Sequence, residues 1–280
     1  RMSEGAHHNT LYGNLIGLNA EGTAAISNRV WGVRIQGPSN TVGGLVAGAR
    51  NVVSGNGSSG IWADGTNACR TLIYGNYVGT DITGSNAVPN GSYGIDVSDA
   101  ANCQVGTSGG GGNLVSGHTN SPGIMVSTIV PTAIGNVIRC NYVGTDASGR
   151  FAIPNSVGIS VDCPGAVVGG DVYRNIISGN LRSGMSLYGG VVVKGNYIGV
   201  DVTGLSALSN GLYGVDIWQA SSNQVGGTDI GEGNVISGNG SAGIRIFGSD
   251  SVRNVIEGNY IGTDRDGENA LGNDIGVFVE

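Results

Sequence analysis

Gly75-Asn76-Tyr77-Val78-Gly79-Thr80-Asp81 decides the fold, because it returns. Variants stand at Gly13-Asn14-Leu15-Ile16-Gly17, Cys140-Asn141-Tyr142-Val143-Gly144-Thr145-Asp146, Gly195-Asn196-Tyr197-Ile198-Gly199-Val200-Asp201 and Gly258-Asn259-Tyr260-Ile261-Gly262-Thr263-Asp264. A second phrase, Asn-Val-Ile-Ser-Gly-Asn in variant form, is interleaved from Asn51, Asn113, Asn175 and Asn234. Each phrase recurs after roughly 60 residues, too long for one turn of an ordinary solenoid, so a shorter unit lies inside it. That unit is Gly-aliphatic-x-aliphatic: Gly32-Val33-Arg34-Ile35, then tetrads from Gly60, Gly94, Gly123, Gly158, Gly184, Gly214, Gly243 and Gly276. The mean step is about 30 residues.

Aliphatics two apart point to the same side of a strand, and the Gly, Asn and Asp residues between the short apolar runs are turn formers. No stretch keeps a helical period. Short strands repeated at a fixed interval suit a coil that lays each strand on its equivalent in the next, an all-β, single-stranded parallel β-helix of about nine coils of ~30 residues. Three strand positions per coil are expected: the tetrad, an Asn-Val-Ile or Asn-x-Val-Gly run about ten residues later, and a third around Gly-Asn-Tyr-Ile-Gly. Val33, Ile35, Ile95, Val97, Ile159, Val161, Val215, Ile217, Ile244 and Ile246 should be buried. Alternate coils carry either an insert such as Thr80 to Asn90 or a Gly-rich turn such as Gly109 to Gly112, which doubles the period.

One unbroken repeat makes residues 1–280 a single elongated domain, stacked at ~4.8 Å per coil into a rod of roughly 45 Å. Such a coil buries little per residue, so ladders of like on like must supply cohesion, with Asn113, Asn175 and Asn234 as candidates for a turn ladder. Both ends cut through a repeat, which reads as a fragment of a longer repeat protein. It would leave strand edges at Arg1 to Leu18 and Gly276 to Glu280 open to end-to-end self-association with neighbouring repeats.

The net charge is −7, from 13 Lys plus Arg against 20 Asp plus Glu, and Lys194 is the only lysine. Nucleic acid is therefore disfavoured as a partner, since no basic stripe exists. No apolar run approaches a membrane span. Cys69 and Cys103 both lie nine residues after a tetrad glycine, which would stack them on adjacent coils within disulfide reach; two small residues filling a turn is the alternative.

The order Asn-Val-Ile-Ser-Gly-Asn, Gly-Ile-x-Ile, Gly-Asn-Tyr-Ile-Gly-Thr-Asp resembles the right-handed parallel β-helix repeat of large secreted bacterial surface proteins, within the pectate-lyase-like superfamily. The resemblance covers residues 4–280. It implies a right-handed coil, an extracellular or cell-surface location, and a structural or adhesive role in a fibre or surface layer. It carries no catalytic assignment: the Asn-Thr-Asp, Asp-Asp, Gly-His-Gly and Arg-Ile-Lys of polygalacturonase-like enzymes and the Asp-Pro-His-Asp of epimerase-like enzymes do not occur. A carbohydrate-binding or polysaccharide-cleaving module is the alternative.

Chemistry would sit on the outward positions of the tetrads. The first outward column reads Arg34, Trp62, Asp96, Met125, Ser160, Ser186, Asp216, Arg245, Phe278; the second reads Gln36, Asp64, Ser98, Ser127, Asp162, Tyr188, Trp218, Phe247, Glu280. Tyr188, Trp218 and Phe247 fall on successive coils with Asp216 and Arg245 beside them, a spacing that suits sugar rings stacked on aromatic faces with hydroxyls reaching Asp or Arg. An aromatic ladder that only glues the sheet face reads equally from the same residues. Trp62, Asp64 and Asp96 form a second group, two carboxylates roughly 8 Å apart, near the spacing of an inverting glycosidase. No cause for a raised pKa is visible in the sequence. Asp81, Asp146, Asp201 and Asp264, each with Gly three residues later, read as turn formers rather than calcium ligands. No metal or cofactor is assigned, and His7-His8 reads as solvated.

Overall fold

Every tetrad forms a strand, and each strand pairs in parallel with its equivalents in the coils before and after. The computed structural model of the chain describes residues 2, 3, 5–109 and 111–280. Among them the strands build three nine-stranded sheets. The tetrad sheet runs from Val33–Ile35 to Ile275–Val279, the middle sheet from Thr10–Leu11 to Val255–Glu257, and the closing sheet from Leu15–Ile16 to Tyr260–Ile261. This is a parallel β-helix. The helical content of the described residues is two short 3₁₀ turns, Ala47–Ala49 and Thr66–Ala68. Among the described residues no helix is long and apolar enough to cross a membrane.

The period-two alternation of each tetrad sends its aliphatics into one continuous core. Val33, Ile35, Ile95, Val97, Ile159, Val161, Val215, Ile217 and Ile244 are buried as expected. Ile246 is the exception: it is only partly buried, because its neighbour on the last strand, Val279, is itself 68% exposed and covers it poorly. Arg1 and Glu4, within the expected N-terminal edge, and Gly110, within the expected Gly-rich turn, lie outside the described residues.

The middle sheet is filled as expected by Asn-Val-Ile and Asn-x-Val-Gly runs, among them Val137–Ile138, Val255–Glu257, Thr41–Gly43 and Gln224–Gly226. The phrases from Asn51, Asn113, Asn175 and Asn234 alternate with the Asn-Tyr-Ile runs in the closing sheet. The two phrases are one structural position in alternate coils. The reason is the turn before it, where Asn14, Asn51, Asn76, Asn113, Asn141, Asn175, Asn196, Asn234 and Asn259 form a single ladder, each side-chain N–H donating to the next Oδ1 at 2.8–3.0 Å. The same Oδ1 accepts a backbone N–H, as Asn113 does from Asn76 at 3.1 Å. A buried turn thus has its polar groups matched from coil to coil. The expected Asn113, Asn175 and Asn234 are three members of this ladder.

A second ladder holds the turn from the closing sheet back to the tetrads. It runs Asn28, Asn56, Asn90, His118, Asn155, Asn180, Asn210, Asn239, Asn273. His118 replaces an asparagine in it. The third turn, between tetrad and middle sheets, keeps only end pairs, Asn9–Asn40 and Asn223–Asn254.

That third turn varies in length, which separates the two cysteines. Leu72 is in register with Gln104, so Cys103 faces Thr71 and Cys69 faces Ala101. The earlier coil spends two extra residues in its 3₁₀ turn Thr66–Ala68, and equal counting from the glycines misaligns the pair. All four cysteines are free thiols, and the expected Cys69–Cys103 bridge is absent. The Cys103 thiol instead donates to the Ala68 carbonyl at 3.4 Å.

The alternate-coil inserts are small hairpins, closed by antiparallel bridges Leu18–Ala25, Thr80–Ala87, Thr145–Ala152, Val200–Ala207 and Thr263–Ala270. They lie over the outer face of the closing sheet and bond to one another: Ile82 N–H to Gly22 O, Ala147 to Gly84, Val202 to Gly149, Arg265 to Gly204, at 2.9–3.0 Å. Beneath them Ile176, Tyr197, Val200 and Val235 make a second apolar cluster. Each hairpin leaves its strand through a glycine such as Gly79, at φ +85°, where a Cβ would sit 2.1 Å from the Ser116 carbonyl of the next coil.

Candidate functional site

The strand pairing places both outward columns of the tetrad sheet in the order read from the sequence. Trp218 is directly beside Phe247, and Asp216 beside Arg245. Arg245 meets Asp216 side-on, Nε to Oδ1 at 2.8 Å and Nη2 to Oδ2 at 2.9 Å. Its guanidinium also lies 4.3 Å from the Tyr213 ring centre and 5.2 Å from that of Phe247, and Nη1 donates to the Tyr213 hydroxyl at 3.3 Å. Planar charge stacked on rings and forked onto a carboxylate is the geometry arginine favours. Arg245 therefore occupies the faces of Tyr213 and Phe247 and leaves the other two rings free. Tyr188 is 42% exposed and Trp218 49%. They border a groove of about 340 Å³, with Arg182, Ser183, Ser186, Asp216 and Arg245 among its polar members.

The other group is built alike and ends differently. Arg34 lies 4.6 Å from each of the Trp31 and Trp62 ring centres, and the two indoles touch at 5.1 Å. Arg34 pairs with Asp64 through Nη2 and through Nε at 3.0 Å, and Gln36 donates to the same oxygen at 2.9 Å. Asp64 is thereby engaged. Asp96, next to Trp62 in the first column, is 7% exposed, and Ser98 Oγ donates to it at 2.6 Å. Burial pushes its carboxyl up to about 6, the Ser98 bond opposes this, and the charge of Asp64 adds to it. The structure thus supplies the cause of a raised pKa that the sequence did not show. It does not set the two carboxylates across a cleft: the small cleft here, about 150 Å³, is lined by Asp64 and not by Asp96.

Trp31 and Tyr213 were missed by the sequence reading. Both stand immediately before a tetrad glycine, a third outward position the repeat itself could have revealed. Asp81 behaves as a turn former: Oδ1 accepts from Thr83 Oγ1 at 2.8 Å and Ser85 N–H at 3.1 Å. Its carboxyl lies below its usual range, burial working against hydrogen bonds from Asn86, Thr83 and the backbone that outweigh it. Asp146 and Asp264 repeat the pattern. Among the described residues no group of three or more His, Cys, Asp or Glu is placed to hold a metal ion. His7 and His8 bond to each other at 2.8 Å on the exposed surface.

No protein-family model matches the chain, and neither does any curated protein. Among solved structures the chain is similar to a double mutant of the periplasmic alginate epimerase AlgG, at 16% identity and TM-score 0.50, covering all of this chain and 61% of that one. A single mutant of the same epimerase matches at 16% identity and TM-score 0.48, with 63% of its length covered. The chain thus spans about three-fifths of the length of the structures it matches. At such identity the likeness is one of fold, a parallel β-helix repeat.

Proposed function

We propose that this chain is an adhesive segment of an exported β-helix protein that holds a neutral or cationic polysaccharide along Tyr188 and Trp218, with Phe247 and Arg245 closing the end of the row. The observation that carries the reading is that Tyr188 and Trp218 keep about half their surface exposed beside a groove lined by Asp216, Ser186, Arg182 and Arg245. A ladder made only for cohesion would bury its rings against one another, as Trp31 and Trp62 do around Arg34. Exposed rings accept the apolar faces of sugars, and Asp216 and Ser186 accept or donate to hydroxyls. The charge of −7 works against a polyanion on this face. The role requires a location outside the cytoplasm, where such polymers are met.

Titration with a neutral glucan, a neutral xylan, chitosan and a polyuronate tests the reading. One of the first three should bind, and Trp218→Ala should remove roughly 1 kcal/mol or more of that binding while leaving any polyuronate binding unchanged. No binding by the parent, or binding untouched by Trp218→Ala, overturns it.

A second reading, end-to-end association with another copy of the rod, has its own observation. Val277 and Val279 continue the inward columns of Ile244 and Ile246 yet are 42% and 68% exposed. Sedimentation of the 280-residue chain should show concentration-dependent dimers, weakened by Val277→Glu; a monomer at every concentration removes this reading.

A further inference from the structure

Away from the tetrad sheet, a pocket of about 410 Å³ lies on the closing sheet beside the hairpin layer. Arg50 and Arg174 both line it, with Tyr77, Leu114, Tyr142 and Ala147 between them. These arginines occupy the position just before the ladder asparagine, which elsewhere holds Gly75, Gly112, Cys140 or Gly195. They stand in the second and sixth coils, four steps or ~19 Å apart at ~4.8 Å per coil. Each lies over the tyrosine of the following coil, Arg50 at 3.9 Å from the Tyr77 ring centre and Arg174 at 4.2 Å from that of Tyr197.

Four cations of the described residues are paired with carboxylates. Arg34 is paired with Asp64, Arg245 with Asp216, Lys194 with Glu232, and Arg265 with Asp266. Among the described residues Arg50 and Arg174 have no carboxylate partner, and the pocket they share contains no acidic side chain. In a chain of net charge −7, two guanidiniums without carboxylate partners, held at opposite ends of an aromatic floor in a pocket free of acids, form a locally positive site. The pocket opens where three small residues stand. Gly112 and Cys140 separate the arginines, and Ala147 fills the hairpin position that holds Ile82 and Val202 in the hairpins on either side.

We propose that this pocket binds an acidic oligosaccharide lying along the rod, its acid groups on Arg50 and Arg174 and a ring face on Tyr142. Three classes of elongated anion could reach both arginines, and two fit poorly. An extended peptide would need main-chain partners, but the closing strands here are paired on both sides and offer no free edge. A single nucleic-acid strand carries a phosphate at every step and would meet two cations in four coils. An extended sugar chain advances about one coil per unit, presents apolar ring faces to tyrosine, and can carry its charges sparsely. Carboxylate and sulfate share the needed chemistry, two oxygens matched to a guanidinium fork. The site is separate from the Trp218 groove and lies on a different sheet.

The test is calorimetric titration of the full-length Trp218→Ala chain, in which the tetrad groove is weakened, with a uronate tetrasaccharide, a sulfated tetrasaccharide and a neutral one of comparable backbone. At least one acidic sugar should bind about tenfold or more tighter than the neutral one, and added salt should weaken it. Whichever acid binds tighter identifies the group. Arg50→Ala and Arg174→Ala should each lower that affinity about tenfold, and Ala147→Leu should abolish it by filling the pocket. The Leu variant keeps the test valid if an arginine variant misfolds, because neighbouring hairpins already accept Ile82 and Val202 there. Restoring Trp218 should leave this binding unchanged. Equal binding of the neutral sugar, binding that survives both Arg174→Ala and Ala147→Leu, or tighter binding of a thymidine decamer or a poly-aspartate peptide overturns the proposal.

Discussion

The Arg34 and Arg245 patches use the same parts on the same sheet and reach opposite ends. Each sets an arginine against two rings and forks it onto an aspartate of an adjacent coil. In the first, both indoles are spent on Arg34, and the acid beyond them, Asp96, is buried. In the second, Tyr213 and Phe247 take the arginine while Tyr188 and Trp218 stay open to solvent beside a groove. What separates glue from binding surface is the number of rings left after the cation is satisfied. An aromatic column alone does not decide it.

The largest expected effect breaks the likeness through pH. The first half of the rod holds two buried titrating groups, Asp96, raised from 3.8 to about 6, and His118, lowered from 6.5 to about 4 by burial despite its bond to Asn155. His118 contributes stability that is present above 6.5 and lost as pH falls to about 4. Asp96, raised, contributes stability that is present below 3.8 and lost as pH rises through about 6. At about 1.4 kcal/mol per pH unit each is worth roughly 3 kcal/mol, with opposite slope. The parent's urea midpoint should therefore be nearly level between pH 4 and 6. Asp96→Asn should leave a midpoint that climbs with pH, and His118→Asn, which restores an asparagine to the ladder, one that declines. Level profiles in both variants would show that neither side chain titrates as its burial requires.

A smaller effect sharpens the division of labour. Trp62→Ala should cost roughly 1–2 kcal/mol of stability, by removing an indole from Arg34 and Trp31, with glycan affinity unchanged. Trp218→Ala should do the reverse, weakening glycan binding about tenfold, or about 1.4 kcal/mol, while moving stability by less than about 0.5 kcal/mol. If both behave as Trp62→Ala does, the second patch is also glue. The smallest expected effect is none: dithiothreitol should leave the melting temperature unaltered, since Cys69 and Cys103 lie two residues out of register. A fall of several degrees would restore the bridge.

Much of this was legible in the sequence because a strand alternates strictly and each tetrad begins at a glycine. Those two marks fix which residues face outward and which are neighbours, so both outward columns could be read in order. Turn length is a different matter: the extra residues of Thr66–Ala68 leave no periodic trace, and counting from Gly60 put Cys69 in the wrong place. The identity of the two asparagine phrases was hidden by their different sequels, a short turn after one and a hairpin after the other. His118 did leave a signal, Ser116-Gly117-His118 where the preceding repeat has Ser54-Gly55-Asn56. The burial of Asp96 left none, since it depends on how neighbouring outward side chains lean, which register alone does not specify.

The hairpins bond across the coil between them, from Gly22 to Ile82 and onward to Arg265, and this gives the rod a parity. Odd coils own an outer layer and even coils are bridged by it, so the two kinds are as distinct as brick and mortar. Losing a single even coil of ~30 residues would bring two hairpins onto adjacent layers ~4.8 Å apart, where each needs the room of two, and losing an odd one would leave two bare coils adjacent and break the hairpin bonding. Losing a pair would leave every bond with an equivalent partner. The length of this solenoid is therefore counted in twos, and duplication or deletion can edit it without conflict only in whole pairs.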